Sequence, residues 1–420
     1  MTRFLIVRLG ALGDVVHAIP VAAALRRAFP TARVDWLVSA KHREILDLVP
    51  VIDRRLVIYE RSSTLRHAQG GPELHRETTM SGRGEPVEPL GQTSRSVSGK
   101  CEHAAGKPAP PAKNGPNSQV VPREARLRGA REVFLRRAPG ATSFLAAIRE
   151  LRLGRYDVAI DLQGLIKSAM LARSSGAPRV VGFSSRYARE RLARLFYTDA
   201  CDPGRGGLYD PRETRHVVEI NLGLLDVLGI TVAKPEFPIE GIDSEVACRI
   251  RQQTGGRYAL LNPGAAWPNK RWPPMRLAAV AAELRSRHDL ISVVLWGPGE
   301  EALAAEVVAG AGGAAMLSPR TTIADLVALA RGATLMVSGD TGPIHVAAAV
   351  GTPIVGIYGP TRPARNGPMS PHDVTVSRDA ICQCHHLRRC RLDRMCLLDI
   401  EVAEVLGAVE RRLSAEPTRV

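Results

Sequence analysis

Four times in this chain a short apolar run ends in a glycine-containing polar loop, and each loop opens into a helical run. Residues 4–7 lead into Gly10-Ala11-Leu12-Gly13-Asp14, and residues 156–162 into Gln163-Gly164-Leu165-Ile166-Lys167-Ser168. Residues 259–262 lead into Pro263-Gly264-Ala265-Ala266-Trp267-Pro268-Asn269-Lys270-Arg271, and residues 333–337 into Ser338-Gly339-Asp340-Thr341-Gly342-Pro343-Ile344-His345. Mainly apolar runs of strand length, of which residues 4–7 are apolar throughout, belong to buried parallel sheets when they alternate with helices. In such a sheet each loop lies outside the carboxyl end of its strand and at the amino end of a helix, where α/β folds bind ligands. The pattern therefore constrains the fold class to α/β and indicates where a site would be.

At 420 residues the chain is long for one domain, and two of ordinary size are expected. Hydrophobic residues at 45% suffice for two cores, and only 4% aromatics favours helices on parallel sheets over an aromatic-rich β sandwich. The formal charge of +15 calls for an anionic partner: nucleic acid, an acidic membrane surface or a phosphorylated substrate. The basic residues are spread, mostly arginine, and not interleaved with aromatics, which argues against nucleic acid. Arg8 and Asp14 break the first apolar region, so it reads as strand, loop and helix rather than an export signal. No apolar run is long enough to span a bilayer. Seven cysteines without an export signal read as thiols in a reducing cytosol.

In chain order, strands are expected at 34–38 and 56–59 with a helix at 41–48 between them. Pro20 makes the helix over 15–29 either start late or kink. From 60 to 133 there is no Phe, Trp or Tyr, while Gly, Pro, Ser, Arg and Glu dominate. Such a stretch cannot bury enough apolar surface to offset its ordering entropy, and disorder is predicted over 62–123 as an insertion in the first domain. The alternation resumes with Thr142 capping a helix at 143–151, a strand at 180–183 and a helix at 212–228. The second half adds helices at 276–287, 322–330 and 402–413, strands at 293–296 and 353–357, and the loop Gly297-Pro298-Gly299-Glu300-Glu301 with its helix to 309. The expected organisation is a Rossmann-like domain over 1–229, a linker over 230–242, a second Rossmann-like domain over 243–400 and a helix and tail over 401–420. A cleft between the two domains follows from their polar loops.

Each candidate side chain has two readings. Asp14 either caps its helix or faces the cleft as a base. Lys270 and Arg271 either form a solvated turn or neutralise a diphosphate with help from backbone amides. Glu300 and Glu301 either favour a helix start or accept hydrogen bonds from a ribose. Asp340, Thr341 and His345 are either turn-and-cap residues or the groups that orient a ligand. The strands' exit loops contain no Gly-x4-Gly-Lys-Ser/Thr, Gly-x-Gly-x-x-Gly or His-Glu-x-x-His, which removes support for P-loop hydrolysis, hydride transfer and zinc proteolysis. Cys382, Cys384, His385, His386, Cys390 and Cys396 can be read as a zinc site or as packed thiols, without the usual Cys-x2-Cys pairing.

Taken in order, Gly10–His17, Asp161-Leu162-Gln163-Gly164, Asn262-Pro263-Gly264 with Lys270-Arg271-Trp272, and Ser338–His345 resemble the lipopolysaccharide heptosyltransferases of glycosyltransferase family nine. The likeness covers nearly the whole chain outside the insertion. It implies a GT-B fold, with two Rossmann-like domains facing a central cleft, and inverting transfer of heptose from ADP-heptose to the Kdo-lipid A inner core, without cofactor or metal. On matching positions it implies Asp14 as general base and Lys270 as the group that stabilises the departing diphosphate. Donor binding falls to Asp340, Thr341, Gly342 and His345, with Gly264, Arg271, Gly297, Glu300 and Glu301 beside them. Acceptor binding falls to Gly10, Gly13, His17, Gln163 and Lys167, with Arg136 and Arg137 following the insertion. The resemblance is strongest to the enzyme that adds the first heptose, working in the cytoplasm at the inner face of the inner membrane. The alternatives are the enzyme that adds the second heptose, a transferase for another nucleotide sugar, and an inactive nucleotide- or glycolipid-binding relative.

Overall fold

The four apolar runs are strands of two parallel sheets in a computed structural model that describes residues 1–58, 131–134, 141–210, 212–382, 385, 387–390 and 395–415. The expected insertion at 62–123 lies outside the described residues, as do Arg136, Arg137, Cys384 and His386. Residues 1–59 and 122–420 form one unit, within which both sheets lie.

The first sheet contains β1 (Arg3–Val7), β2 (Arg33–Ser39), β3 (Arg54–Ile58), β4 (Arg131–Phe134), β5 (Val158–Asp161), β6 (Arg179–Phe183) and β7 (Asp199–Cys201), in the order β4-β3-β2-β1-β5-β6-β7. The second contains β8 (Tyr258–Asn262), β9 (Ile291–Val294), β10 (Ala315–Leu317), β11 (Leu335–Gly339), β12 (Ile354–Tyr358) and β13 (Val374–Ser377), in the order β10-β9-β8-β11-β12-β13. Strand order reverses between β1 and β5 and between β8 and β11, where Val7 pairs with Asp161 and Ser338 with Asn262. Crossover connections diverge at these points, opening the crevices that bind ligands in such sheets. The four loops singled out in the sequence are the exits of these four strands.

The helices are α1 (Leu12–Val16), α2 (Ile19–Ala28), α3 (Ala141–Leu153), α4 (Ile166–Ser174), α5 (Val217–Leu222), α6 (Glu245–Thr254), α7 (Pro274–His288), α8 (Glu301–Gly310), α9 (Ile323–Gly332), α10 (Gly342–Ala349), α11 (Pro363–Asn366) and α12 (Val402–Ser414). Pro20 sits in the first turn of α2, where its missing N–H breaks no helical bond, so the expected first helix is divided into α1 and α2. Thr322 caps α9, its hydroxyl accepting from the Asp325 amide at 3.1 Å. Some boundaries differ from expectation. Residues 43–48 form a 3₁₀ turn rather than an α-helix. Thr142 lies inside α3, which begins one residue earlier. The helix expected over 212–228 starts only after His216, whose ring accepts from the Val218 amide, and tightens to 3₁₀ from Gly223 before ending at left-handed Gly229. Glycine's low helix propensity suits the switch at Gly223, and its ease at positive φ suits the stop at Gly229, where the expected helix also ends.

Phe4, Leu5, Ile6 and Val7 are buried, as are Tyr258, Ala259, Leu260 and Leu261 on the matching central strand of the second sheet. Helix α12 packs its buried Val405, Ala408 and Val409 on the second sheet. There Arg412, itself buried, pairs with Asp373 at 2.8 Å. The two halves meet through α1 and α10: Gly13 lies against His345, and Gly342 against Leu12.

Candidate functional site

The exits of β1 and β11 face each other across a cleft of about 550 Å³. Gly10, Gly13, Asp14 and His17 line it from the first half, and Lys270, Asp340, Thr341, Gly342 and His345 from the second. These are nine of the residues singled out from the sequence, brought together from three loops of two sheets.

On the first side, Asp14 is held by two guanidinium groups: Arg8 Nη2 at 2.8 Å from Oδ1 and Arg189 Nη2 at 3.0 Å from Oδ2. Burial works against its charge, but Arg8 and Arg189 outweigh that and hold the carboxyl below its ordinary range. Asp14 therefore stays ionised throughout the physiological range, with lone pairs left over for a hydroxyl proton. Arg8 is only 2% exposed, and beside its ion pair with Asp14 it donates a hydrogen bond to the Leu162 carbonyl. It directly follows β1, so the strand's end fixes the carboxylate's counter-charge.

On the second side, Asp340 is held by Lys270 Nζ at 2.5 Å and His345 Nε2 at 3.0 Å. Burial again opposes ionisation, and the hydrogen bond from His345 with the charge of Lys270 overcomes it, placing Asp340 well below the usual range. Lys270 lies 4.6 Å from the Trp267 ring centroid. Of an ammonium's three donors one is committed to Asp340, so the other two are aimed without being consumed. The imidazole of His345 continues this line into the first half: its centroid is 4.3 Å from that of His17, which is 5.4 Å from that of His216. Burial and its two histidine neighbours push His17 well below the usual range, so it is neutral.

Beside the cleft lies a second cluster of expected residues. Glu300 accepts from the Gly297 amide at 3.2 Å and stands 4.0 Å from Arg271 Nη2. Gly264 lies so close that a Cβ there would sit 2.7 Å from Glu300 Oε1. Asn262 ties this cluster to the cleft, donating to Gly264 O at 3.1 Å and to Thr341 Oγ1 at 3.0 Å. Of the two adjacent glutamates, Glu300 turns toward the loops, while Glu301 is exposed at the head of α8. Gln163 and Lys167 do not line the cleft. Gln163 is buried behind it, accepting from the Leu9 amide at 2.8 Å, and Lys167 is exposed on α4.

Four arginines that the sequence did not single out also line the cleft: Arg189, Arg362, Arg365 and Arg388. Arg189 comes from the β6–β7 crossover, and Arg362 and Arg365 flank or belong to α11 in the second half. Arg362 donates to the Asp210 carbonyl and Arg365 to the Leu208 carbonyl, each at 3.1 Å, binding the halves together. Burial lowers Arg365 to about 10, with Arg189 nearby adding to the effect. Arg8 and Arg189 pair with the carboxylate of Asp14, and Arg365 lies close enough to feel its charge. The signal for Arg8 was its place between strand and loop; nothing local marks Arg189 or Arg365.

Among the described residues no group of three His, Cys, Asp or Glu side chains is arranged to hold a metal ion. Cys201, Cys382, Cys390 and Cys396 are thiols, whereas Cys248 on α6 is disulfide-bonded, contrary to the expectation of thiols throughout; nothing in the described residues explains that bond. No helix among the described residues is long and apolar enough to cross a membrane.

Residues 144–395 match the family model of glycosyltransferase family 9 (heptosyltransferase). The chain is 26% identical over 381 residues to lipopolysaccharide heptosyltransferase 1 of Pseudomonas aeruginosa, covering 90% of this chain and 85% of the relative. It is 28% identical over 305 residues to lipopolysaccharide heptosyltransferase 2 of Salmonella typhimurium, covering 69% and 82%. Its fold resembles Escherichia coli heptosyltransferase WaaC solved with ADP, at a TM-score of 0.63 and 20% identity over 98% of this chain and all of the other. The same enzyme solved with ADP-2-deoxy-2-fluoro heptose gives a TM-score of 0.61 at 20% identity, over 97% of this chain and 99% of the other.

Proposed function

The chain belongs to glycosyltransferase family 9, the heptosyltransferase family, and we propose that it transfers heptose from ADP-heptose to the Kdo-lipid A inner core with inversion at the anomeric carbon. One observation carries this reading: an ionised carboxylate from one half and a preorganised lysine–aspartate–histidine group from the other line the same cleft. The relatives' names support heptose as the transferred sugar, and the two WaaC complexes support ADP as its carrier.

In this mechanism Asp14 accepts the proton of the acceptor hydroxyl as that oxygen attacks the anomeric carbon. Its low basicity delays proton transfer until the new bond has made the hydroxyl acidic, so base and bond formation act together. Negative charge then builds on the leaving diphosphate. Lys270, oriented by Asp340 and Trp267, and the amides at the head of α10 stabilise it without rearrangement. Glu300 receives the ribose hydroxyls, and Thr341 and Gly342 allow the backbone to approach the donor. Arg189 and Arg365 attract an acidic sugar on the acceptor beside Asp14, a role the sequence had given to Arg136 and Arg137. Neutral His17, with the His345 ring packed against it, fills the seam between base and donor and excludes water from the reacting atoms.

The test is transfer to Kdo-lipid A with ADP-heptose in competition with UDP- and GDP-sugars. Heptosylated product that only ADP-heptose supports is the expected result. Preference for another nucleotide sugar would move the chain to a different donor, and product formed only on an already heptosylated core would assign it to the second addition.

A further inference from the structure

The segment Ser184–Tyr197 carries four arginines and a single carboxylate, Glu190, whose Oε2 is occupied by the Ile166 amide at 2.7 Å. Its second part is the 3₁₀ turn Arg191–Phe196, which packs on α4. Ala193 and Tyr197 point inward and are buried, whereas Leu192 and Leu195 are 61% and 75% exposed. A turn of this kind ordinarily buries its leucines and exposes its arginines, but here both lie on the outer side. On neighbouring α4, Met170 is 39% exposed between exposed Lys167 and Arg173. Arg173, Arg186, Arg191 and Arg194 form no ion pair among the described residues. Apolar side chains exposed on the same two elements as these four arginines suit the boundary between anionic headgroups and acyl chains, and water suits them poorly.

We propose that Leu192, Leu195 and Met170, with Arg186, Arg191 and Arg194 of the same segment and Arg173 of α4, form the surface that docks this protein on an anionic lipid bilayer. The inference rests on the transfer reading for its purpose. The segment begins at the rim of the cleft, since Arg189, two residues before the turn, both lines the cleft and pairs with Asp14. A glycolipid anchored in the bilayer beneath the turn can thus present its sugars to Asp14 without leaving the membrane. The leucines enter the interface and the arginines meet lipid phosphates, so binding has an apolar part that salt leaves intact and an electrostatic part that salt screens.

The experiment is sedimentation with vesicles of phosphatidylethanolamine and phosphatidylglycerol, or of phosphatidylcholine alone. It compares the full chain with a Leu192→Ser/Leu195→Ser variant and an Arg191→Gln/Arg194→Gln variant. The full chain is expected to partition onto the anionic vesicles and poorly onto phosphatidylcholine. Each variant should bind the anionic vesicles about tenfold more weakly. Because all four side chains are exposed, melting temperatures should not move, and turnover of a deacylated, water-soluble acceptor should match that of the unaltered chain. Equal vesicle binding by the leucine variant would overturn the proposal, as would loss of self-association in that variant, which would make this surface a contact between copies. Failure of the unaltered chain to glycosylate the deacylated acceptor would count against the transfer reading instead, because vesicle binding is read independently of turnover.

Discussion

Gly13 is the position where a single methyl group tests the coupling between the halves. A Cβ there would lie 3.2 Å from Cγ and Nε2 of His345 and well inside contact distance of Cδ2. The ring cannot simply retreat, because it is buried against His17 at 4.3 Å between centroids and bonded to Asp340 at 3.0 Å. Gly13→Ala must therefore displace the imidazole by roughly 1 Å, at an overpacking cost of about 1–3 kcal/mol. Alanine's helical advantage of roughly 1 kcal/mol works the other way in α1. The net expectation is a loss of up to about 2 kcal/mol, seen as a lower melting temperature. Displacement also takes the His345 bond from Asp340 and loosens the carboxylate that orients Lys270. Since a hydrogen bond to a charged group contributes about 1.5–3 kcal/mol, ADP titrated calorimetrically should bind about tenfold more weakly. In a His345→Ala background the same Gly13→Ala change should no longer destabilise, because the ring it strikes is gone. A Gly13→Ala protein with unchanged melting temperature and ADP affinity would refute the coupling.

Three further outcomes follow from the site. His216 uses Nδ1 to accept from the Val218 amide and Nε2 to meet the Gly367 carbonyl at 2.8 Å, an arrangement only the neutral ring satisfies, and burial lowers it to about 4. Its folded value lies below the unfolded one near 6.5, so its stabilisation is complete above that pH and lost as pH falls toward 4, by up to about 3 kcal/mol; His216→Asn should flatten the melting temperature over that window. Asp340→Asn leaves Lys270 without its counter-charge, costing about 3–5 kcal/mol at neutral pH. Because Asp340 is depressed in the fold, the difference in melting temperature between wild type and variant should hold from pH 8 to 5 and shrink only in stronger acid. Glu300→Gln should weaken ADP binding about tenfold but leave 2′,3′-dideoxy-ADP unaffected; equal loss for both would take Glu300 off the ribose.

The strand exits were legible in the sequence because each combines a mainly apolar run with a loop of glycines and polar residues, and parallel sheets place such loops at one edge. Asp14, Lys270, Asp340 and His345 therefore came together as their positions implied. What was not legible depends on chain folding over long separations. Arg189 reaches Asp14 across 175 residues, and Arg365 reaches the Leu208 carbonyl across 157, with no local motif at either arginine. Short edge strands were also missed: β7 and β10 have three residues each, too few to show a period. The exposed leucines of Arg191–Phe196 carry no signal of their own in the sequence, because hydrophobicity alone does not reveal which side of a turn faces outward.

The most direct measurement is turnover from ADP-heptose to Kdo-lipid A by wild type and Asp14→Asn, with ADP affinity determined in the same preparation. The asparagine leaves Arg8 and Arg189 without their carboxylate, so both proteins must be compared at a temperature where the variant is folded. The account expects turnover to fall by about 10²- to 10⁴-fold, with ADP affinity unchanged because the nucleotide is held by the other half. Wild-type turnover by Asp14→Asn would contradict a catalytic base on the first half facing a donor on the second.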